Sequence, residues 1–73
     1  MKYRAKCNTT ATFNNKPFLI LADEVIVINL LDDSLNSYII KLNGKTMYLD
    51  VENIKFFERI PERIYYESNS TNI

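Results

Sequence analysis

Seventy-three residues, 47% of them hydrophobic, make one small globular domain near the lower size at which a single core holds a chain together. Nine basic and nine acidic side chains cancel, which argues against a general polyanion binder, and the lack of histidine removes the commonest acid–base residue and most zinc sites. With one cysteine, one glycine and no run of about 20 apolar residues, no internal disulfide, glycine-rich phosphate loop or membrane-spanning helix is expected.

Along the first segment Tyr3, Ala5, Cys7, Thr9, Ala11 and Phe13 fall on odd positions, and Lys2, Arg4, Lys6, Asn8, Thr10 and Thr12 on even ones. Successive side chains of a strand point to opposite faces, so this alternation predicts one half-buried strand with room for a bend midway. It places Cys7 on the apolar face as a buried thiol. Lys2, Arg4 and Lys6 share the other face, about 7 Å apart. There they either track a phosphate backbone or act as a solvated edge that discourages strand pairing. Asn14, Asn15, Lys16 and Pro17 then read as a loop, because Asn tolerates turn conformations and Pro fixes its own backbone.

Residues 18–31 are nearly all apolar, interrupted by Ala22, Asp23 and Glu24. The β-branched run Val25, Ile26, Val27, Ile28 predicts a central strand covered on both faces. Turn formers from Asp32 to Ser37 end it. Residues 38–42 and 45–49 flank Asn43-Gly44, the signature of a two-residue hairpin, since that pair supplies the positive backbone angles of a type I′ turn. In this register Ile40 faces Met47 and Tyr38 faces Leu49 on one side, with Ile39 and Tyr48 on the other.

Residues 50–53 form a short turn, either 3₁₀ or the opening of a helix. Residues 54–60 are read as a strand. The alternative is an α+β fold with a helix at 51–60, capped by Asp50 and striped by Val51, Ile54, Phe57 and Ile60. Pro61 suits the first position of one helical turn over 61–67. The whole is expected to be one domain over 1–67 with a flexible tail at 68–73.

Laid in order, these elements resemble an SH3-like β-barrel: a first strand, a long loop, a second strand at 22–28, an acidic loop at Asp32-Asp33, a distal hairpin at 38–45, and a 3₁₀ turn before the last strand. The resemblance implies an all-β barrel of about five antiparallel strands with a short C-terminal extension. It also implies that proline-rich peptides are not the ligand, because the family's groove tryptophan, proline and tyrosine align with Ser37, Asp50 and Asn53.

No catalytic residue, cofactor or metal is expected. The doublets Asp23-Glu24 and Asp32-Asp33 read as solvated or partner-facing acids, since neighbouring carboxylates on a strand diverge. Asn8 and Asn69 begin glycosylation-acceptor triplets that an intracellular chain does not use. The expected role is non-enzymatic protein binding in the cytoplasm, through the aromatic and aliphatic surplus of Ile39, Tyr48, Phe57, Tyr65 and Tyr66 and the acids Asp32 and Asp33. A homodimer is one such partner. A one-module chain rich in Asn, Ile and Lys also fits a small accessory factor or host-protein inhibitor from a phage or other mobile element. The second expectation is nucleic-acid binding through Lys2, Arg4 and Lys6, with Tyr65 or Tyr66 stacking on bases. No membrane partner is expected.

Overall fold

The computed structural model describes residues 1–61. Seven short strands form one antiparallel sheet: β1 (Lys2–Ala5), β2 (Thr9–Phe13), β3 (Lys16–Ile20), β4 (Val25–Asp32), β5 (Ser37–Leu42), β6 (Lys45–Asp50) and β7 (Phe57–Arg59). Their spatial order is β3-β2-β6-β5-β4-β1-β7, curled into a half-barrel. The all-β expectation holds, with two strands more than the five expected.

The additional strands have identifiable causes. The first segment breaks after Ala5, so its halves serve different parts of the sheet: β1 pairs with β4 and β7, and β2 with β3 and β6. The break is held by backbone bonds to the Ala22–Glu24 corner, where Ala5 N–H donates to Glu24 O (2.9 Å) and Asp23 N–H to Ala5 O (2.8 Å). Asn8 supports the same corner by accepting from Ala22 N–H (2.9 Å). Cys7 lies in this bend and is exposed, which corrects the expected buried thiol. The odd-position pattern resumes at Thr9, so Cys7 is the one residue of the series turned outward.

The expected loop at residues 14–17 is instead a hairpin. Asn14 and Asn15 both have positive φ (54° and 64°), which makes a two-residue turn, and Lys16 and Pro17 already belong to β3. Pro17 is tolerated because β3 is an edge strand and its missing N–H would point away from β2. The Asn43-Gly44 hairpin has the expected register, with Leu42 opposite Lys45, Ile40 opposite Met47 and Tyr38 opposite Leu49.

After β6 the chain makes a 3₁₀ turn over Val51–Phe56, which replaces both the strand expected from Ile54 and the alternative α-helix. Asp50 caps it by accepting from Glu52 N–H (2.9 Å). The strand reading survives only over Phe57–Arg59. The helical turn expected at 61–67 and the tail at 68–73 extend beyond the described residues.

Inward-facing side chains make one core, of which Ile20, Ile26, Ile40, Met47 and Leu49 are fully buried. Phe13 and Phe18 meet edge-to-face at 5.9 Å and close it at the β2–β3 end. β4 is not covered on both faces as expected. Ile26 points into the core, while Val25 on the outer face remains 42% exposed.

Candidate functional site

The outer face of the sheet carries the candidates Ile39, Tyr48, Asp32 and Lys2, and its order follows from strand register. Ile39 of β5 pairs with Tyr48 of β6 on one side and Leu30 of β4 on the other, and Tyr48 pairs with Thr12 of β2, which pairs with Pro17 of β3. These five residues form one row across five strands. Leu30 is 54% exposed and Tyr48 41% exposed, and Ile39 between them is half-buried.

Leu30 reaches this row because of a β-bulge. Ile28 pairs with Ile40 on the inner face, and the next pair is Leu30 with Ile39, so Asn29 is the extra residue. Without it Leu30 would stand opposite Tyr38 and face inward, since a one-residue slip exchanges the faces of a strand. The signal in the sequence was the lone Asn29 within an apolar run.

Charged rows flank the apolar one. On one side Asp32 and Asp50 flank Ser37 as its cross-strand neighbours on β4 and β6. Both carboxylates are anchored locally: Asp32 accepts from Ser34 Oγ (2.7 Å) and Ser34 N–H (3.1 Å), and Asp50 holds the 3₁₀ cap. The Ser34 bond, joined by the backbone N–H groups of Ser34 and Leu35, lowers the Asp32 carboxyl below its ordinary value. Asp33 lies in the adjoining turn and is exposed. On the other side Lys2 pairs with Val27, Val27 with Lys41, and Lys41 with Thr46. The face therefore grades from basic through apolar to acidic.

Register explains where the remaining candidates fall. Phe57 is only 5% exposed and belongs to the core, which corrects its expected surface role: the 3₁₀ turn shifts the phase of the last strand and turns its ring inward. Lys2 and Arg4 are exposed on β1, but Lys6 lies in the bend and does not continue their row. Arg4 Nε donates to Glu58 Oε2 (2.8 Å), directly across on β7. That bond and the charge of Glu58 raise the Arg4 pKa further above its ordinary value. One of the three basic residues is thus already neutralised. Tyr65 and Tyr66 lie outside the described residues. Asp23 and Glu24 serve the corner: Asp23 takes a positive φ (74°), and Glu24 accepts from Leu21 N–H (2.9 Å). Among the described residues no three His, Cys, Asp or Glu side chains stand close enough to hold a metal ion, and no helix is long and apolar enough to cross a membrane.

At the β2 end of the row a shallow cavity of about 320 Å³ opens beside the Tyr48 ring. Thr10, Thr12 and Pro17 form one wall, and Asp50 and Asn53 another. Asn53 Nδ2 donates to Thr10 O (3.3 Å), which ties the 3₁₀ turn to β2. Asp50 and Asn53 give this depression a polar lining.

Backbone pairing is a poor route for a partner. The two-residue Asn14-Asn15 turn directs the outward amides of β3 to positions 17, 19 and 21; Pro17 has no N–H, and Leu21 N–H is taken by Glu24. On β7 the Phe57 N–H is used by Ile54 O, and the following Pro61 has none. Each edge keeps one outward amide with no partner among the described residues, Leu19 on β3 and Arg59 on β7, so the outer face offers the larger contact.

No protein-family model matches the chain, and neither curated proteins nor solved structures yield a match.

Proposed function

We propose that the chain is a non-enzymatic, SH3-like protein-interaction module and that its contact surface is the outer face of the sheet. The observation that carries this reading is the row Leu30–Ile39–Tyr48, an apolar line across three central strands, exposed at both ends and half-buried at Ile39, and flanked by charges of both signs. A lone exposed leucine needs no explanation, but adjacent exposed apolar residues with a charged rim have the composition of a protein contact. The SH3-like assignment is supported by the bent first strand, the Asn43-Gly44 hairpin and the 3₁₀ turn before the last strand. A role as a small accessory factor or inhibitor of a host protein fits a module without catalytic groups.

Affinity capture with the full chain, compared with Ile39→Lys and Tyr48→Ser variants whose β-type circular dichroism is intact, tests the reading. A specific protein retained by the native chain and lost by both variants is expected. Retention by both variants removes the outer face as the contact.

Nucleic-acid binding ranks second, favoured by the row that brings Lys41 level with Lys2. Glu58 counts against it by occupying Arg4. A low-salt gel shift decides it, since non-specific binders show affinities of about 10⁻⁴–10⁻⁶ M even at physiological salt.

A further inference from the structure

We infer that the partner fitting the outer face is a second copy of this chain, packed face to face about a twofold axis running along the Leu30–Ile39–Tyr48 row. This rests on the outer face being the contact surface.

The inference follows from the symmetry of the charge pattern. A twofold axis in the plane of contact keeps each residue's position along the axis and inverts its displacement across it, so the patch must complement itself. Along the axis Leu30, Ile39 and Tyr48 meet their own counterparts. Across it, the basic side of one copy lies over the acidic side of the other. Lys41 and Ser37 stand two residues to either side of Ile39 on the same strand, about 7 Å each way. Lys41 of one copy therefore lies over Ser37 of the other, between Asp32 and Asp50, its neighbours on the flanking strands. The same contact forms twice. A face of one charge sign would repel its copy under this operation. A face whose sign reverses across an apolar line attracts it.

Sheets pack face to face about 10 Å apart, a gap that the apolar row fills and a lysine spans. The outside of a half-barrel is convex, so the contact narrows to the three central strands, and three strands at about 4.8 Å by three rows at about 7 Å give roughly 300 Å² per copy. The total of roughly 600 Å² is below the range of stable specific interfaces, so weak association toward the millimolar end is expected.

Sedimentation equilibrium of the full chain from about 10 µM to about 1 mM measures it. Monomer–dimer association is expected, and a monomer throughout overturns the inference. Lys41→Glu and Ser37→Lys should each weaken self-association about tenfold, because each sets like charges opposite one another. Mixed one to one, the two variants should regain native affinity as a heterodimer, since Glu at 41 then faces Lys at 37. A mixture no tighter than either variant alone overturns the inference. Circular dichroism on both variants keeps unfolding from imitating dissociation. If the native chain stays monomeric while capture of another protein still depends on Ile39 and Tyr48, the second copy fails and the contact surface stands. If neither readout responds to those residues, both fail.

Discussion

The β5–β6 and β2–β3 hairpins close through turns of the same kind, with both central residues at positive φ, yet they carry different loads. β5–β6 lies in the middle of the sheet, bonded to β4 on one side and β2 on the other, and buries Ile40, Leu42, Met47 and Leu49. β2–β3 has β3 as an edge among the described residues; it buries Ile20, Ala11 and Thr9 on its inner face, while Leu19 on the outer face of β3 is 56% exposed. The turn alone therefore does not fix a hairpin's contribution to the fold. The number of sides on which it is paired and packed decides that.

Substitution of a mid-strand side chain in each hairpin should separate the two most widely. Ile40→Ala leaves a cavity between its cross-strand neighbours Ile28 and Met47 and should cost about 2–5 kcal/mol. That is much of the stability of a domain this small. Leu19→Ala on the edge should change stability by about 0.5 kcal/mol or less. Urea midpoints compare them directly. Equal losses would mean that the edge strand is covered in a way the described residues do not show.

The turns themselves should differ less. Gly44 sits at φ +79° with open space where a Cβ would stand, so Gly44→Ala meets only the backbone penalty of the left-handed region, about 1–2 kcal/mol. Asn15 holds φ 64° with a side chain that tolerates it, so Asn15→Ala should cost about 1 kcal/mol, while Asn15→Gly should stay within about 0.5 kcal/mol of the native chain. A large loss from Asn15→Gly would show that the Asn side chain, not its backbone tolerance, closes the turn.

Those two turns also show why one hairpin was legible in the sequence and the other was not. Asn43-Gly44 announces itself because glycine has few other reasons to follow asparagine between two apolar alternations. Asn14-Asn15 makes an equivalent turn in a chain with a single glycine, where the positive-φ positions fall to Asn14, Asn15, Asp23, Asn36 and Asn43. Lys16-Pro17 then disguised the start of β3, since an edge position is the special context in which a strand tolerates proline. The same limits hold at the site. Ile39 and Tyr48 were readable from the hairpin register, but Leu30 depends on a bulge at Asn29, and the inward turn of Phe57 on how far the 3₁₀ turn extends. Both are one-residue phase shifts, which periodicity cannot locate. Lys41 was overlooked because its importance lies in which strands stand beside it.

The smallest effect concerns a third connection, between β4 and β5, which sharpens the comparison because charge, not a pair of left-handed residues, holds it. Asp32 accepts from Ser34 Oγ, Ser34 N–H and Leu35 N–H, and these bonds lower its pKa from the ordinary 3.8. A carboxyl lowered on folding adds stability that is fully present above its unfolded value and is lost as pH falls through the folded one. Asp32→Ala should therefore lower the urea midpoint at about pH 5 and above, and the gap to the native chain should narrow below about pH 3.8 as the native carboxyl takes up its proton. Because the group is exposed, the gap should be slight. Gly44→Ala and Asn15→Ala act through backbone conformation, which carries no proton, so their gaps should not change over the same range. A pH-independent gap for Asp32→Ala would mean that the turn is held by its geometry and Ser34 alone, and that the three connections compared work the same way.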